Sequence, residues 1–168
     1  MIGVMGGSHF ENPDDEQYAY QVGAMIAREG WILLNGGRAS GIMEASAKGA
    51  KDNGGTTIGI LPVDDADWAS QYIDIPIVTG IGMARNIINV LSSDMVIALP
   101  GSAGTISEIA IALKYGKVVI LFRFDAGDWL KPFQKEGKVF FVNEITELKA
   151  LIKKKLEEIS HNKKRCLW

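Results

Sequence analysis

The stretch of the chain with the most chemistry in it is Pro100-Gly101-Ser102-Ala103-Gly104-Thr105. It joins the apolar run Met95 to Leu99 to a segment with helical spacing. Gly101 and Gly104 let the backbone turn tightly and leave no side chain between its N–H groups and a ligand. A helix that starts here leaves its first N–H groups without helical partners, and its dipole adds partial positive charge. An anion such as a phosphate would meet donors and favourable potential together. The hydroxyls of Ser102 and Thr105 could add donors, and Ala103 keeps the loop narrow.

Two cations and one acid extend the candidate site. Arg85 falls at the start of a helix, where a cation opposes the dipole, so an anionic ligand would rationalise it as well as a nearby carboxylate would. Arg38 follows Gly36-Gly37 and is a weaker second candidate. Glu108 has two readings. Thr105-x-x-Glu108 has the spacing of a capping box, in which the Thr hydroxyl and the Glu carboxylate satisfy open N–H groups of the first turn. Alternatively, Glu108 is a carboxylate aimed at sugar hydroxyls or at chemistry. Spacing alone favours the cap.

Familiar alternatives are missing. No Gly-x-x-x-x-Gly-Lys-Ser/Thr occurs, so a P-loop is excluded. The first turn, Gly6-Gly7-Ser8, lacks Gly-x-Gly-x-x-Gly. The second strand ends in Asn35, where a dinucleotide site wants an acid on the ribose. The chain has one cysteine, Cys166, and two histidines, His9 and His161. That gives no metal site, no internal disulfide and no Cys-His nucleophile pair. The acidic loop Asp64-Asp65-Ala66-Asp67-Trp68 reads as solvated rather than as a cation site.

The elements that must position these residues alternate strand, glycine-rich turn, helix, which argues for a mostly parallel sheet covered by helices. Strands are expected at about 1 to 5, 31 to 34, 56 to 61, 73 to 78, 95 to 99, 118 to 122 and 139 to 142. Pro76 places the fourth at an edge or a bulge. Helices are expected from Pro13 to Glu29 with Asn12 as N-cap, and from Gly41 to Asp52, where Ala45, Ser46, Gly49 and Ala50 allow close packing on the sheet. Further helices are expected from Met83 to Ser92 with Met83, Ile87, Ile88 and Leu91 inward, from Thr105 to Tyr115, and from Glu144 to Glu158. In an open parallel sheet, the turns at Gly7-Ser8, Gly36-Gly37-Arg38 and Gly101 to Thr105 share one edge, where ligands bind.

A chain of 168 residues, 47% hydrophobic and 23% charged, suits a single globular domain. Its apolar runs are too short to span a bilayer. The opening Met1-Ile2-Gly3-Val4-Met5 reads as a strand with no basic segment ahead of it, so no signal peptide is expected and a cytoplasmic location is. Net charge is −2, yet residues 149 to 168 carry seven Lys or Arg against two Glu. That basic C-terminal tail reads as the solvated end of a last helix rather than as a nucleic-acid surface.

The runs Gly82-Met83-Ala84-Arg85-Asn86-Ile87-Ile88-Asn89-Val90-Leu91-Ser92-Ser93-Asp94 and Ala98-Leu99-Pro100-Gly101-Ser102-Ala103-Gly104-Thr105-Ile106-Ser107-Glu108 resemble the molybdenum cofactor carrier proteins. These group with the LONELY GUY phosphoribohydrolases (long labelled lysine decarboxylase-like) and the DprA-like proteins in one Rossmann-like superfamily. The resemblance implies a three-layer α/β sandwich with helices on both faces of a mostly parallel sheet. It also implies a homo-oligomer, a dimer or larger. The hydrolases cleave the N-glycosidic bond of nucleoside 5′-monophosphates with an Arg and a Glu that match Arg85 and Glu108. They carry Pro-Gly-Gly, Arg-Lys and two adjacent acids where this chain has Ser102, Asn86 and Ser107. The carrier group, which binds a phosphate-bearing pterin without obligatory chemistry, matches the run after Arg85 more closely.

Two expectations result. The first is a binding or carrier protein for AMP-like nucleotide or molybdopterin, with no required cofactor, using Gly7, Ser8, Gly36, Gly37, Arg38, Arg85, Asn86 and the loop Gly101 to Thr105. The second is a phosphoribohydrolase, with Arg85 and Glu108 catalytic. A nucleic-acid or membrane partner is not expected.

Overall fold

The computed structural model describes residues 1–165; Cys166 lies outside them. The elements are β1 (Ile2–Met5), α1 (Asp15–Arg28), β2 (Leu33–Asn35), α2 (Gly41–Asp52), β3 (Thr57–Leu61), β4 (Ile75–Val78), α3 (Arg85–Ser92), β5 (Met95–Ala98), α4 (Ala103–Lys114), β6 (Val119–Phe122), α5 (Lys131–Lys135), β7 (Val139–Val142) and α6 (Ile145–Arg165). All seven strands pair in parallel, in the order β4-β3-β2-β1-β5-β6-β7. The chain winds outward from β1 to β4, crosses back, and winds the other way from β5 to β7. The reversal lies between β1 and β5, where ligand crevices form in such sheets.

Strand alternation builds two cores. Ile2, Val4, Leu33, Met95, Ile97, Ile120 and Phe122 point to one face and pack under α1, α2 and α6. Met5, Leu34, Val96, Ala98, Val119 and Leu121 point to the other and pack under α3 and α4. The result is the expected three-layer sandwich of the Rossmann-like kind. Pro76 sits in β4, an edge strand exposed along its whole length. No helix among the described residues is long and apolar enough to cross a membrane.

Several local expectations need correction. The first helix begins at Asp15 rather than Pro13. The buried Asp15 carboxylate accepts from the backbone N–H of Glu11 and Asn12, at 2.9 and 2.8 Å, so it ties the loop back and Asn12 caps nothing. Trp31 closes α1 instead of opening β2: its N–H donates to the carbonyl of Ile26, and Gly30 takes positive φ. The small residues of α2 serve α1 as much as the sheet. A Cβ on Gly49 would lie 2.0 Å from the carbonyl oxygen of Tyr20, so the two helices touch backbone to backbone.

The largest correction concerns α3. Of the four residues expected inward, Ile88 does pack against the second core, but Met83, Ile87 and Leu91 are exposed, and the buried residues are Arg85, Asn86, Asn89 and Val90. The polar stripe faces inward together with Val90, and Ile87 and Leu91 face out.

Candidate functional site

The sharp turns after β1, β2 and β5 meet at one edge of the sheet. Gly7 N–H donates to the carbonyl of Pro100 (3.0 Å) and its own carbonyl accepts from Ile42 (3.0 Å), so the turns after β1 and β5 and the start of α2 are tied together. Asn35, fully buried at the end of β2, accepts from Gly37 N–H through Oδ1 and donates through Nδ2 to the carbonyl of Met43. It shapes the turn where a dinucleotide site would carry its acid.

These turns enclose a cleft of about 210 Å³ lined by Gly6, Gly7, Ser8, Gly36, Arg38, Met43, Met83, Arg85, Asn86, Ser102, Gly104, Thr105 and Glu108. Ten of the residues expected from sequence therefore share one cavity. Three do not line it. Gly37 packs its Cα against Gly59 on β3, Gly101 is buried between Gly7 and the Thr105 hydroxyl, and Ala103 is exposed outside the cleft.

The floor is the N-terminus of α4. Ile106 N–H is the first in the helix to find a helical acceptor, the carbonyl of Ser102 at 3.1 Å. Ser102 sits at the N-cap without a capping side-chain hydrogen bond. Among the described residues, nothing accepts from the N–H groups of Ala103, Gly104 and Thr105. The expected capping box does not form, because the helix starts at Ala103 and Glu108 lies well inside it. Thr105 is buried, and Glu108 turns away to the cleft wall.

Arg85 enters from α3. It is 6% exposed, its Nε is sealed from solvent without a partner, and its guanidinium lies against Gly36. Neither Arg85 nor Arg38 makes a side-chain hydrogen bond or ion pair with a described residue. Burial, and then the positive charge of Arg38, lower the pKa of Arg85, against the opposing pull of Glu108. Burial pushes the Glu108 carboxyl up to about 7, against the hydrogen bond from Asn89 and the charge of Arg85. Asn86 donates to Ser107 Oγ at 3.2 Å, and Ser8 Oγ lies 3.0 Å from His9 Nδ1.

Asn89 was missed by sequence reasoning. Its Nδ2 donates to Glu108 Oε1 at 2.8 Å. The available signal was position: Asn89 stands one helical turn after Arg85 and shares its face. Among the described residues no group of three or more His, Cys, Asp or Glu is placed to hold a metal ion, the acidic loop included. In the basic tail, Lys149 and Lys153 both pair with Glu29, the residue that follows α1, at 2.7 and 2.6 Å.

The chain is 47% identical to the molybdenum cofactor binding protein of the phototrophic bacterium Rippkaea orientalis, with a TM-score of 0.85 over 91% of this chain and 94% of that one. It is 41% identical to the molybdenum cofactor carrier protein of Chlamydomonas reinhardtii, with a TM-score of 0.83 over 93% and 97%. A Mycobacterium tuberculosis cytokinin riboside 5′-monophosphate phosphoribohydrolase is 38% identical over 95 residues, 55% of this chain and 51% of the enzyme. The model of the SLOG cluster4 family matches residues 1–158, and the chain belongs to that family.

Proposed function

We propose that this protein binds a small phosphate-bearing molecule, a nucleotide or a phosphorylated pterin of the molybdenum cofactor class, in the cleft between the ends of β1, β2 and β5. One observation carries the reading: Arg85 is buried without a hydrogen-bonded counter-ion beside the uncapped start of α4. Burying an unpaired charge costs several kcal/mol. Glu108 offsets this only in part, because burial raises its carboxyl to about 7, which leaves it only about half ionised at neutral pH. A bound phosphate would supply the missing charge to Arg85 and the missing acceptor to the N–H groups of Ala103, Gly104 and Thr105.

In this reading Ser102, Gly104 and Thr105 at the start of α4 hold the phosphate, Gly7 and Ser8 close one side, and Gly36 and Arg38 close the other, with Asn86 at the rim, while Gly37 and Gly101 shape the turns from behind. A cleft of about 210 Å³ lies below the roughly 300–1,000 Å³ of most small-molecule pockets. It would hold the phosphate and the adjoining ring, with the rest of the ligand extending past Met83.

A second reading is hydrolysis of a nucleoside 5′-monophosphate. A carboxyl titrating near 7 beside a guanidinium suits proton transfer at neutral pH. Water would add at the anomeric carbon, releasing the free base and ribose 5-phosphate. The carrier reading has the stronger support, because the molybdenum cofactor proteins match over nine-tenths of the chain and the hydrolase over about half. Incubation with AMP decides between them. Base release that disappears in Glu108→Gln supports hydrolysis; saturable binding with no release supports a carrier; neither outcome would remove both.

Self-association belongs to the same proposal. Ile87 and Leu91 on the outer face of α3 and Tyr115 at the end of α4 expose apolar surface. Such a face on two copies can pair about a two-fold axis, each burying its apolar side chains against the other's.

A further inference from the structure

Glu108 has one carboxylate oxygen accounted for inside the protein. Oε1 accepts from Asn89, while Oε2 has no partner and, unlike Asn89 Oδ1, is not sealed from solvent. Glu108 lines the cleft, so Oε2 is the oxygen a ligand can reach.

Asn89 is 0% exposed and stands on the inward stripe of α3, one turn after Arg85. Its backbone is held as well, since Ser93 Oγ donates to its carbonyl at 2.8 Å. Its side-chain Oδ1 is buried with no partner. An unpaired buried acceptor costs about 1–3 kcal/mol, a cost that an apolar side chain would not carry. Among the described residues, the side-chain interaction that offsets that cost is the hydrogen bond to Glu108.

We propose that Asn89 is a positioning residue: its side-chain amide occupies Oε1 of Glu108, fixes the carboxyl plane, and presents Oε2 alone to a hydroxyl or ring N–H of the ligand. A carboxylate held this way can accept one hydrogen bond at the cleft, not a bidentate pair. The charged group facing Glu108 is Arg85 from α3; Arg38, from the turn after β2, acts on Arg85. The Asn89 amide and Arg85 both favour the ionised carboxylate, and burial opposes them. Loss of the amide donor therefore moves the Glu108 titration upward.

The consequence for a ligand rests on the binding reading above; the hold on Glu108 does not, and two measurements separate them. The first is a 13C NMR titration of the Glu108 carboxyl in ligand-free protein. Asn89→Leu should raise the midpoint by about one pH unit. Asn89→Ser serves the same comparison where the leucine variant does not fold, with a shift in the same direction. An unchanged midpoint in the folded variant overturns the proposal. The second is calorimetry at pH 7 with AMP and with inorganic phosphate. Asn89→Leu should weaken AMP about ten-fold and leave phosphate within about two-fold, because in this proposal Glu108 meets the sugar or ring of the ligand and not its phosphate. Equal losses for both ligands would mean that Asn89 only supports the fold of the cleft, and would also overturn it. A wild-type protein that binds neither ligand would remove the binding reading, with the carboxyl titration still deciding the role of Asn89.

Discussion

The guanidinium of Arg85 occupies the space that a side chain on residue 36 would need. A Cβ built on Gly36 would lie 2.3 Å from Nη1 and 2.5 Å from Nη2 of Arg85. The glycine after β2 is thus the hollow into which the cation from α3 fits, and it gives Arg85 a fixed place beside the start of α4. Gly36→Ala must push Arg85 aside. Because the clash is with the end of a long side chain and with the Met43 sulfur, stability should fall by about 1 kcal/mol, while phosphate or AMP affinity falls ten-fold or more. Thermal melts and calorimetry on the same sample check both halves.

Arg85→Met should separate stability from function. It removes a buried charge with no ion pair and keeps most of the side-chain volume. The ligand-free protein should melt higher, by about 1 kcal/mol of stability, and bind no phosphate-bearing ligand. A variant that melts lower and still binds would contradict the place given to Arg85.

The raised pKa of Glu108 predicts a sign for stability against pH. The folded protein holds this proton more tightly than the unfolded chain, whose carboxyl titrates near 4.5. Its contribution is therefore full below pH 4.5 and is lost as pH rises through about 7. The difference amounts to about 3 kcal/mol at most. Glu108→Gln stays neutral and lacks the slope, so its melting temperature should gain on wild type between pH 4.5 and 7.5. Parallel curves would mean that Glu108 is not held protonated.

The outward apolar face of α3 predicts an interface. Ile87→Glu or Leu91→Glu should convert a dimer or larger assembly to monomers in light scattering, with helix content unchanged by circular dichroism. A wild-type monomer at micromolar concentration would remove the prediction.

Much of the fold was legible because each signal was local. The run of Gly41 to Asp52 carries its helix at the expected bounds, Pro76 excludes β4 from the sheet interior, and glycines mark the turns after β1, β2 and β5. The gathering of Gly7, Gly36, Arg38 and Thr105 at one edge followed from parallel topology, whereas Arg85 was singled out by its place at a helix start. What was not legible depended on tertiary context. Helix α3 carries two stripes, an apolar one with Ile87 and Leu91 and a polar one with Arg85 and Asn89. Periodicity sends the apolar stripe inward, whereas the cleft takes the polar one. Thr105 and Glu108 have capping-box spacing, but α4 begins at Ala103, which leaves Glu108 free for Asn89. Asn89 itself reads as an ordinary helix residue until its partner on α4 is placed beside it.

The claim on which the functional account depends is that the uncapped N–H groups at the start of α4 receive an anion. Titration of 15N-labelled protein with AMP, followed by amide chemical shifts, tests it most directly. The account predicts saturable shifts that are largest at Ala103, Gly104 and Thr105, reversed by competing inorganic phosphate. Amides that stay still while changes gather on the lysines of α6, or that show no saturable change at all, would contradict it.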